Sequence, residues 1–167
     1  LEDTGRLLKE SGGATVPRTT ETEGRSLLKG VTDLGWATHD QPYLSIKSNV
    51  PPSALSAMIS RCLQDAPLGL PPGILADPGF GQVRFFWWAG SVGDWLDDGL
   101  VLEAILKIRE YAREAGGSAV VEFCPLSLKK VIDVWGDQPG GMEIMHRIKQ
   151  EFDPLGIMSP GRFVGKI

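Results

Sequence analysis

The chain has 167 residues, an apolar content of 42% and a formal net charge of −4. This length fits one ordinary domain with appendages, and the apolar content is enough to build a core. The acidic balance argues against a nucleic-acid partner, since such proteins usually carry a basic surface. No apolar stretch approaches the roughly 20 residues of a membrane-spanning helix, so we expect no transmembrane segment.

The two cysteines, Cys62 and Cys124, lie in apolar surroundings and lack the spacing of metal ligands. We interpret them as buried reduced thiols of a cytoplasmic protein, with no metal site. The first residues are neither a signal peptide nor an initiator Met, so we interpret the chain as a piece of a longer protein.

The first 41 residues are the least regular part and are interpreted as a linker or a helical remnant of an upstream region. Leu7-Leu8 and Leu27-Leu28-x-x-Val31 predict two short amphipathic helices. The Ser11-Gly12-Gly13 stretch and the Thr/Glu-rich run 19–24 are typical of loops.

Residues 42–125 follow the order strand, helix, strand, strand, helix, strand, which predicts an α+β domain of the ferredoxin-like, split βαβ type. Its sheet would be four-stranded and antiparallel in the order 4-1-3-2, with helices on one face only. Proline and glycine near residues 78–81 predict the hairpin between the second and third strands. Residues 126–167 predict a C-terminal helix over about 141–152 and an irregular tail, so extra helices flank the domain at both ends.

Period-two alternation predicts which side chains share the face of the sheet that the helices leave open. Phe123 is expected to face the helices, whereas Cys124 is expected on the open face. Candidate substrate-binding residues on the open face are Lys47, Arg84 and Glu122, surrounded by Tyr43, Phe86 and Trp88. The cations could bind a carboxylate once a partner domain excludes water. Alternatively, Glu122 forms an ordinary cross-strand ion pair with Lys47 or Arg84.

The sequence identifies no catalytic residue. His39 and His146 lie far apart in the sequence, and no nucleophile elbow supports a Ser-His-Asp triad. The acidic cluster Asp94, Asp97 and Asp98 is interpreted as helix N-terminal charge. No glycine-rich loop follows a strand in the pattern that binds a pyrophosphate.

The C-terminal residues resemble a known family. Asp153-Pro154-Leu155-Gly156-Ile157-Met158-Ser159-Pro160-Gly161-Arg162 is similar to the closing signature of FAD-linked oxidases of the vanillyl-alcohol-oxidase type, Asp-Pro-x-Gly-Ile-x-Asn-Pro-Gly-Arg/Lys. The stretches Val120 to Pro125 and Val131-Ile132-Asp133-Val134-Trp135-Gly136 resemble those of glycolate-oxidase-like flavoproteins.

The resemblance implies the C-terminal cap domain of a two-domain flavoenzyme that acts on a small 2-hydroxy acid. Its FAD would be held mainly by an upstream FAD-binding domain that is missing here. The family tail passes close to the flavin, so Ser159, Pro160, Gly161 and Arg162 are the candidate cofactor-binding residues. Ser159 stands where the family commonly has Asn. The resemblance also implies partner subunits, including an iron–sulfur subunit, through which a cytoplasmic enzyme could associate with a membrane.

The competing interpretation is a stand-alone ferredoxin-like module without catalysis, which binds a small ligand or dimerises through the open face. The two differ in whether a flavin-holding domain accompanies this chain.

Overall fold

A computed structural model describes residues 20–33, 42–88 and 97–167. The chain divides into two compact units, residues 1–37 and 38–167. Several sequence-based expectations lie outside the described residues: the helix near Leu7-Leu8, the loop at 11–13, His39 and Asp94.

The described part of the first unit is helix α1, Glu21–Thr32. It confirms the second amphipathic helix, but the prediction of a loop over 19–24 is wrong for residues 21–24, which are helical. Thr20 and Glu23 form a capping box, in which the Thr20 hydroxyl accepts from the Glu23 amide and the Glu23 carboxylate accepts from the Thr20 amide. The Thr-x-x-Glu spacing satisfies two amides at the helix start, and this signal was present in the sequence.

The second unit contains four strands, four helices and a final 3₁₀ turn within its described residues. They are β1 (Pro42–Asn49), α2 (Pro52–Asp65), β2 (Gly73–Asp77), β3 (Gln82–Trp88), α3 (Asp98–Glu114), β4 (Ser118–Phe123), α4 (Leu126–Lys129), α5 (Met142–Phe152) and η1 (Val164–Lys166).

The sheet has the predicted architecture. Its order is β2-β3-β1-β4, and all three neighbouring pairs are antiparallel. The core lies between the sheet and helices α2 and α3, where alternate residues of β1, β3 and β4 are buried and Ile74 of β2 is partly buried. Leu44, Ile46 and Phe85 are among its largest buried side chains. The α+β, split βαβ prediction is therefore confirmed.

Two β-bulges alter the predicted facing of strand ends. On β1, Leu44 pairs with Trp87 and Pro42 with Trp88, so Tyr43 is an extra residue and packs against the core. The prediction that Tyr43 lies on the open face is therefore wrong, because a bulge changes the alternation beyond it.

On β4, Val121 pairs with Ile46 and Phe123 with Ser45, which leaves Glu122 as the extra residue. Beyond this bulge the predicted sides are exchanged. Cys124 is buried in the core, whereas Phe123 is 36% exposed. The predicted inward Phe123 and outward Cys124 were both wrong.

Cys62 and Cys124 are buried and free, as predicted. Burial raises the pKa of the Cys62 thiol to about 12. A thiol with such a pKa is protonated at neutral pH and therefore unreactive.

The described residues contain no helix that combines the length and hydrophobicity needed to cross a membrane. Within the same ranges no three His, Cys, Asp or Glu side chains are grouped so that they could hold a metal ion.

Gly73 on β2 provides a test of the packing on the face opposite the helices. A Cβ at this position would overlap the Trp88 indole, so we expect Gly73→Ala to displace that ring. The free energy of unfolding should fall by about 1–3 kcal/mol, the usual cost of overpacking. Urea unfolding followed by tryptophan fluorescence measures it. Gly140→Ala is the matched control, because a Cβ there meets nothing within 4 Å. Equal stability of the two variants would contradict this packing.

Candidate functional site

The three predicted substrate-binding residues lie together on the outer face, which we define as the sheet face opposite α2 and α3. Lys47 and Arg84 are direct partners of the β1–β3 ladder. Arg84 Nε lies 3.0 Å from Glu122 Oε2, across the intervening strand β1. The Ser45 hydroxyl also lies within 3.5 Å of that Glu122 oxygen. The sequence therefore placed the charged residues on the correct face but missed Ser45 as their partner.

The ion pair determines the charge that the outer face can offer a ligand. Arg84 and Glu122 largely neutralise each other, and their side chains are 33% and 28% exposed. Lys47 is half-buried and has no ion-pair partner among the described residues. The cluster therefore carries one excess positive charge, located at Lys47. The alternative in which Glu122 pairs with Arg84 is thus present in the structure and is compatible with an anion site at Lys47.

Aromatic side chains occupy the part of the outer face nearest the start of β1. Phe86 and Trp88 are neighbours with ring centroids 5.6 Å apart, and the Trp88 indole lies over Gly73. Such cover compensates for the missing side chain of a strand glycine. Phe86 lies on this face, as predicted, and is only 3% exposed.

The tail begins at a buried carboxylate at the end of α5. Asp153 Oδ1 accepts from the Ile157 amide and Oδ2 from the Met158 amide, both at 2.9 Å. Lys149 Nζ lies 2.6 Å from Asp153 Oδ2 and also donates to the Met158 carbonyl. These bonds, the lysine's first, hold the pKa of Asp153 below its ordinary value. The Asp153 carboxylate thus binds the amides of the following turn and holds the chain where it reverses direction after α5.

The four predicted cofactor-binding residues form one tight turn. The Arg162 amide donates to the Ser159 carbonyl at 3.2 Å, with Pro160 and Gly161 between them. Gly161 has φ +70°, as a Pro-Gly turn of type II requires, and a Cβ there would meet nothing within 4 Å. Ser159 has φ +47°, a left-handed conformation that Asn tolerates better than Ser. The left-handed backbone at this position therefore favours Asn, the residue that the resembling family commonly has here.

An apolar groove of about 550 Å³ runs between α5 and the tail. Met145, Ile148 and Phe152 line it from the helix, where the predicted apolar stripe is not buried in the sheet core. Ser159 and Arg162 line it from the tail. The groove therefore places an open apolar surface beside the predicted cofactor-binding turn.

Residues 133–136 connect the tail to the sheet, and sequence reasoning missed their role. The Trp135 indole N–H donates to the Arg162 carbonyl at 3.1 Å. Its ring also meets Phe163 edge-on, with centroids 5.2 Å apart. An Arg109 N–H donates to the Asp133 carbonyl, and burial lowers the pKa of the Arg109 guanidinium. The Val-Trp-Gly stretch was noticed as a family likeness, but a single sequence gives no sign of these partners.

Among the described residues no hydrogen bond or ion pair joins Lys47, Arg84 or Glu122 to the turn 159–162. The predicted substrate and cofactor residues therefore form two separate clusters, each with its own internal bonds.

Residues 135–163 match the family described as FAD linked oxidases, C-terminal domain. The match begins at Trp135 and ends at Phe163, the two residues whose rings meet. It excludes the outer face and the stretches 120–125 and 131–134. No curated protein matches the chain. No solved structure matches it. The predicted family is thus confirmed for the C-terminal segment, at the level of an FAD linked oxidase C-terminal domain.

The Asp153 carboxylate makes the tail sensitive to acid. Because its pKa is lowered from the ordinary 3.8, its contribution to stability is complete above 3.8 and is lost as the pH falls through the lowered value. We expect the amide proton shifts of Ile157 and Met158 to titrate together in that acid range, measured by NMR from about pH 7 to about pH 2. Asp153→Asn should abolish this titration, whereas Asp137→Asn should preserve it. Constant shifts over the whole range would contradict the role of Asp153.

The left-handed conformation of Ser159 predicts a stabilising substitution. Ser159→Asn should raise the free energy of unfolding by about 0.5 kcal/mol, because Asn adopts this backbone region at lower cost. Thermal or urea unfolding measures the change. Ser127→Asn is the control, since Ser127 lies within the right-handed helix α4 and should gain nothing. A gain at both positions, or at neither, would show that backbone conformation is not the cause.

Proposed function

We propose that this chain, whose residues 135–163 have the sequence of an FAD linked oxidase C-terminal domain, is the cap domain of an FAD-dependent 2-hydroxy-acid oxidoreductase. The observation that carries the proposal is this match, over a segment whose two ends meet in the Trp135–Phe163 contact. The finer assignment is the FAD-binding subunit of a glycolate oxidase, which the same tail and the Val-Trp-Gly stretch favour by resemblance.

The tail fits one edge of a bound FAD. Gly161 leaves an open space where a side chain would stand, so a flat ring could approach the backbone there. Arg162 is exposed beside the turn, and the apolar groove continues the same surface. Since the described residues contain no glycine-rich phosphate loop, the tail would contact the cofactor, while an upstream domain would hold it.

The outer face fits a small carboxylate. Lys47 supplies the excess positive charge, and Arg84 is a second cation whose pairing with Glu122 an anionic ligand could compete for. A charge-assisted hydrogen bond to a carboxylate is strong when water is excluded. We infer that Lys47 and Arg84 bind the substrate carboxylate when a partner surface covers the face, and that Glu122 orients Arg84 until the anion competes for it.

The chain's apolar surface also favours a covering partner. Phe152, Leu155 and Ile157 are 79%, 81% and 74% exposed at the end of α5 and in the tail. Contiguous apolar surface of this kind usually marks an interface. The flavin-holding domain is the partner that this proposal requires at that surface.

FAD, when bound, would accept the hydride that leaves the α-carbon of the hydroxy acid. The residues of this chain would hold the carboxylate at the outer face, contact the cofactor through the turn 159–162 and exclude water. We assign no residue of this chain to removal of the hydroxyl proton. An iron–sulfur partner subunit and membrane association through partners belong to this proposal by resemblance alone, and a cytoplasmic location belongs to it through the interpretation of Cys62 and Cys124 as reduced thiols.

A stand-alone ligand-binding or dimerisation module is the second candidate. The exposed apolar side chains of α5 and the tail also suit a second copy of the chain. Measuring whether the full-length protein carries a flavin separates the two, since the module would carry none.

Lys47 provides the test of substrate binding. In the full-length protein, Lys47→Ala should raise KM for glycolate or lactate by about 10- to 100-fold, the value of one charged hydrogen bond. Glu122→Gln should lower KM, because it releases Arg84 for the anion. Lys107→Ala removes an exposed cation paired with Glu103 on α3 and should leave KM unchanged. An unchanged KM in Lys47→Ala would exclude the outer face as the carboxylate site.

A further inference from the structure

The segment from Asp133 to Gly136 lies against the edge strand β4. The Val121 amide donates to the Val134 carbonyl at 2.8 Å, which continues the hydrogen bonding of the sheet by one residue. A Cβ at Gly136 would lie 2.9 Å from the Ala119 carbonyl oxygen. Only glycine therefore allows so close an approach to β4, and its φ of +80° needs glycine as well.

The backbone on the N-terminal side of Trp135 is held by hydrogen bonds. Arg109 of α3 donates to the Asp133 carbonyl, and Asp133 Oδ1 accepts from the Trp135 amide at 2.9 Å. Trp135 itself is half-buried. The backbone at Trp135 is thus held in place relative to both the sheet and α3. Its indole is therefore attached to a restrained part of the chain.

The Trp135 indole restrains the backbone of Arg162. The Arg162 amide is bonded within the turn to Ser159, and the Arg162 carbonyl accepts from the Trp135 indole. Both polar groups of this residue's backbone therefore have partners. Phe163 meets the indole edge-on, which opposes rotation of the next residue.

We propose that Trp135 is a positioning residue, which transmits the position of the sheet to the turn 159–162 and so sets the direction in which Arg162 is presented to the cofactor. This inference rests on the proposed function, because it assumes that the turn contacts FAD. The positioning depends on one hydrogen bond, from the Trp135 indole N–H to the Arg162 carbonyl. Without it the Arg162 carbonyl loses its partner, and the peptide between Arg162 and Phe163 can rotate.

Trp135→Phe tests the inference, because it keeps an aromatic ring against Phe163 and removes only the donor and part of the ring. In the full-length protein we expect the dissociation constant for FAD to rise by roughly 3- to 10-fold, the value of one neutral hydrogen bond. In the chain itself, the NMR signals of the Arg162 and Phe163 amides should shift or broaden.

Trp87→Phe is the matched control. The Trp87 indole donates to the Leu70 carbonyl at the same distance, 3.1 Å, but it lies in the core between sheet and helices. Its loss should lower the thermal midpoint without changing the FAD dissociation constant or the tail amides. A merely structural role for Trp135 predicts that the two variants behave alike, and that result would overturn the inference.

Arg162→Ala separates this inference from the proposed function. If it leaves the FAD dissociation constant unchanged, the Arg162 side chain does not contact the cofactor and the inference is wrong, whereas the proposed function fails only if the full-length protein carries no flavin. If Arg162→Ala weakens FAD binding and Trp135→Phe does not, the inference alone is overturned. Should Trp135→Phe fail to fold, replacing Trp135 by 3-benzothienylalanine removes the N–H with almost no change of shape, and the same outcomes apply.

Discussion

The C-terminal part of this protein depends on the carboxylate of Asp153. It is buried at the end of α5, accepts two backbone amides from the turn that follows and lies against Lys149. A buried carboxylate is tolerated only when its oxygens are satisfied, and here two amides and an ammonium group satisfy them. Because these bonds direct the chain back along α5, the turn 159–162 lies beside that helix and the groove forms between them.

The tail is held at a second place by Trp135, which connects it to β4. Asp153 shapes the tail locally, whereas Trp135 relates it to the sheet through Val134 and Gly136. The family match spans residues 135–163. The contacts of Trp135 with Arg162 and Phe163 bring the two ends of this segment together. The likeness therefore corresponds to a structural unit and not merely to a short string of residues.

One ion pair determines the charge distribution on the outer face. Arg84 and Glu122 face each other across β1, and they neutralise one cation while leaving Lys47 with its charge. A partly exposed pair of this kind contributes little to stability. In the function proposed here its larger effect would be on selectivity, because an incoming anion would either bind at Lys47 or displace Glu122 from Arg84.

Much of the fold could be predicted because strand alternation and helix stripes are local properties. The succession of strands and helices and the facing of Ile46, Lys47 and Arg84 follow from them. The sheet order was predicted as the usual one for a split βαβ succession. The bulges at Tyr43 and Glu122 could not be predicted, since a bulge depends on the pairing of two strands that are distant in sequence. They exchanged the sides of Phe123 and Cys124. The loop wrongly assigned to 19–24 is a different case, because the capping box of Thr20 and Glu23 was visible locally.

The sequence by itself determined the family of the C-terminal segment, through its resemblance to a known signature. It also determined the split βαβ order, because turn residues and apolar periodicity act over a few neighbours. Only the tertiary structure decided the partners: Arg84 with Glu122 across β1, and Trp135 with the Arg162 carbonyl. These pairs join residues that lie far apart along the chain, so their geometry exists only after the sheet has assembled and the tail has folded back.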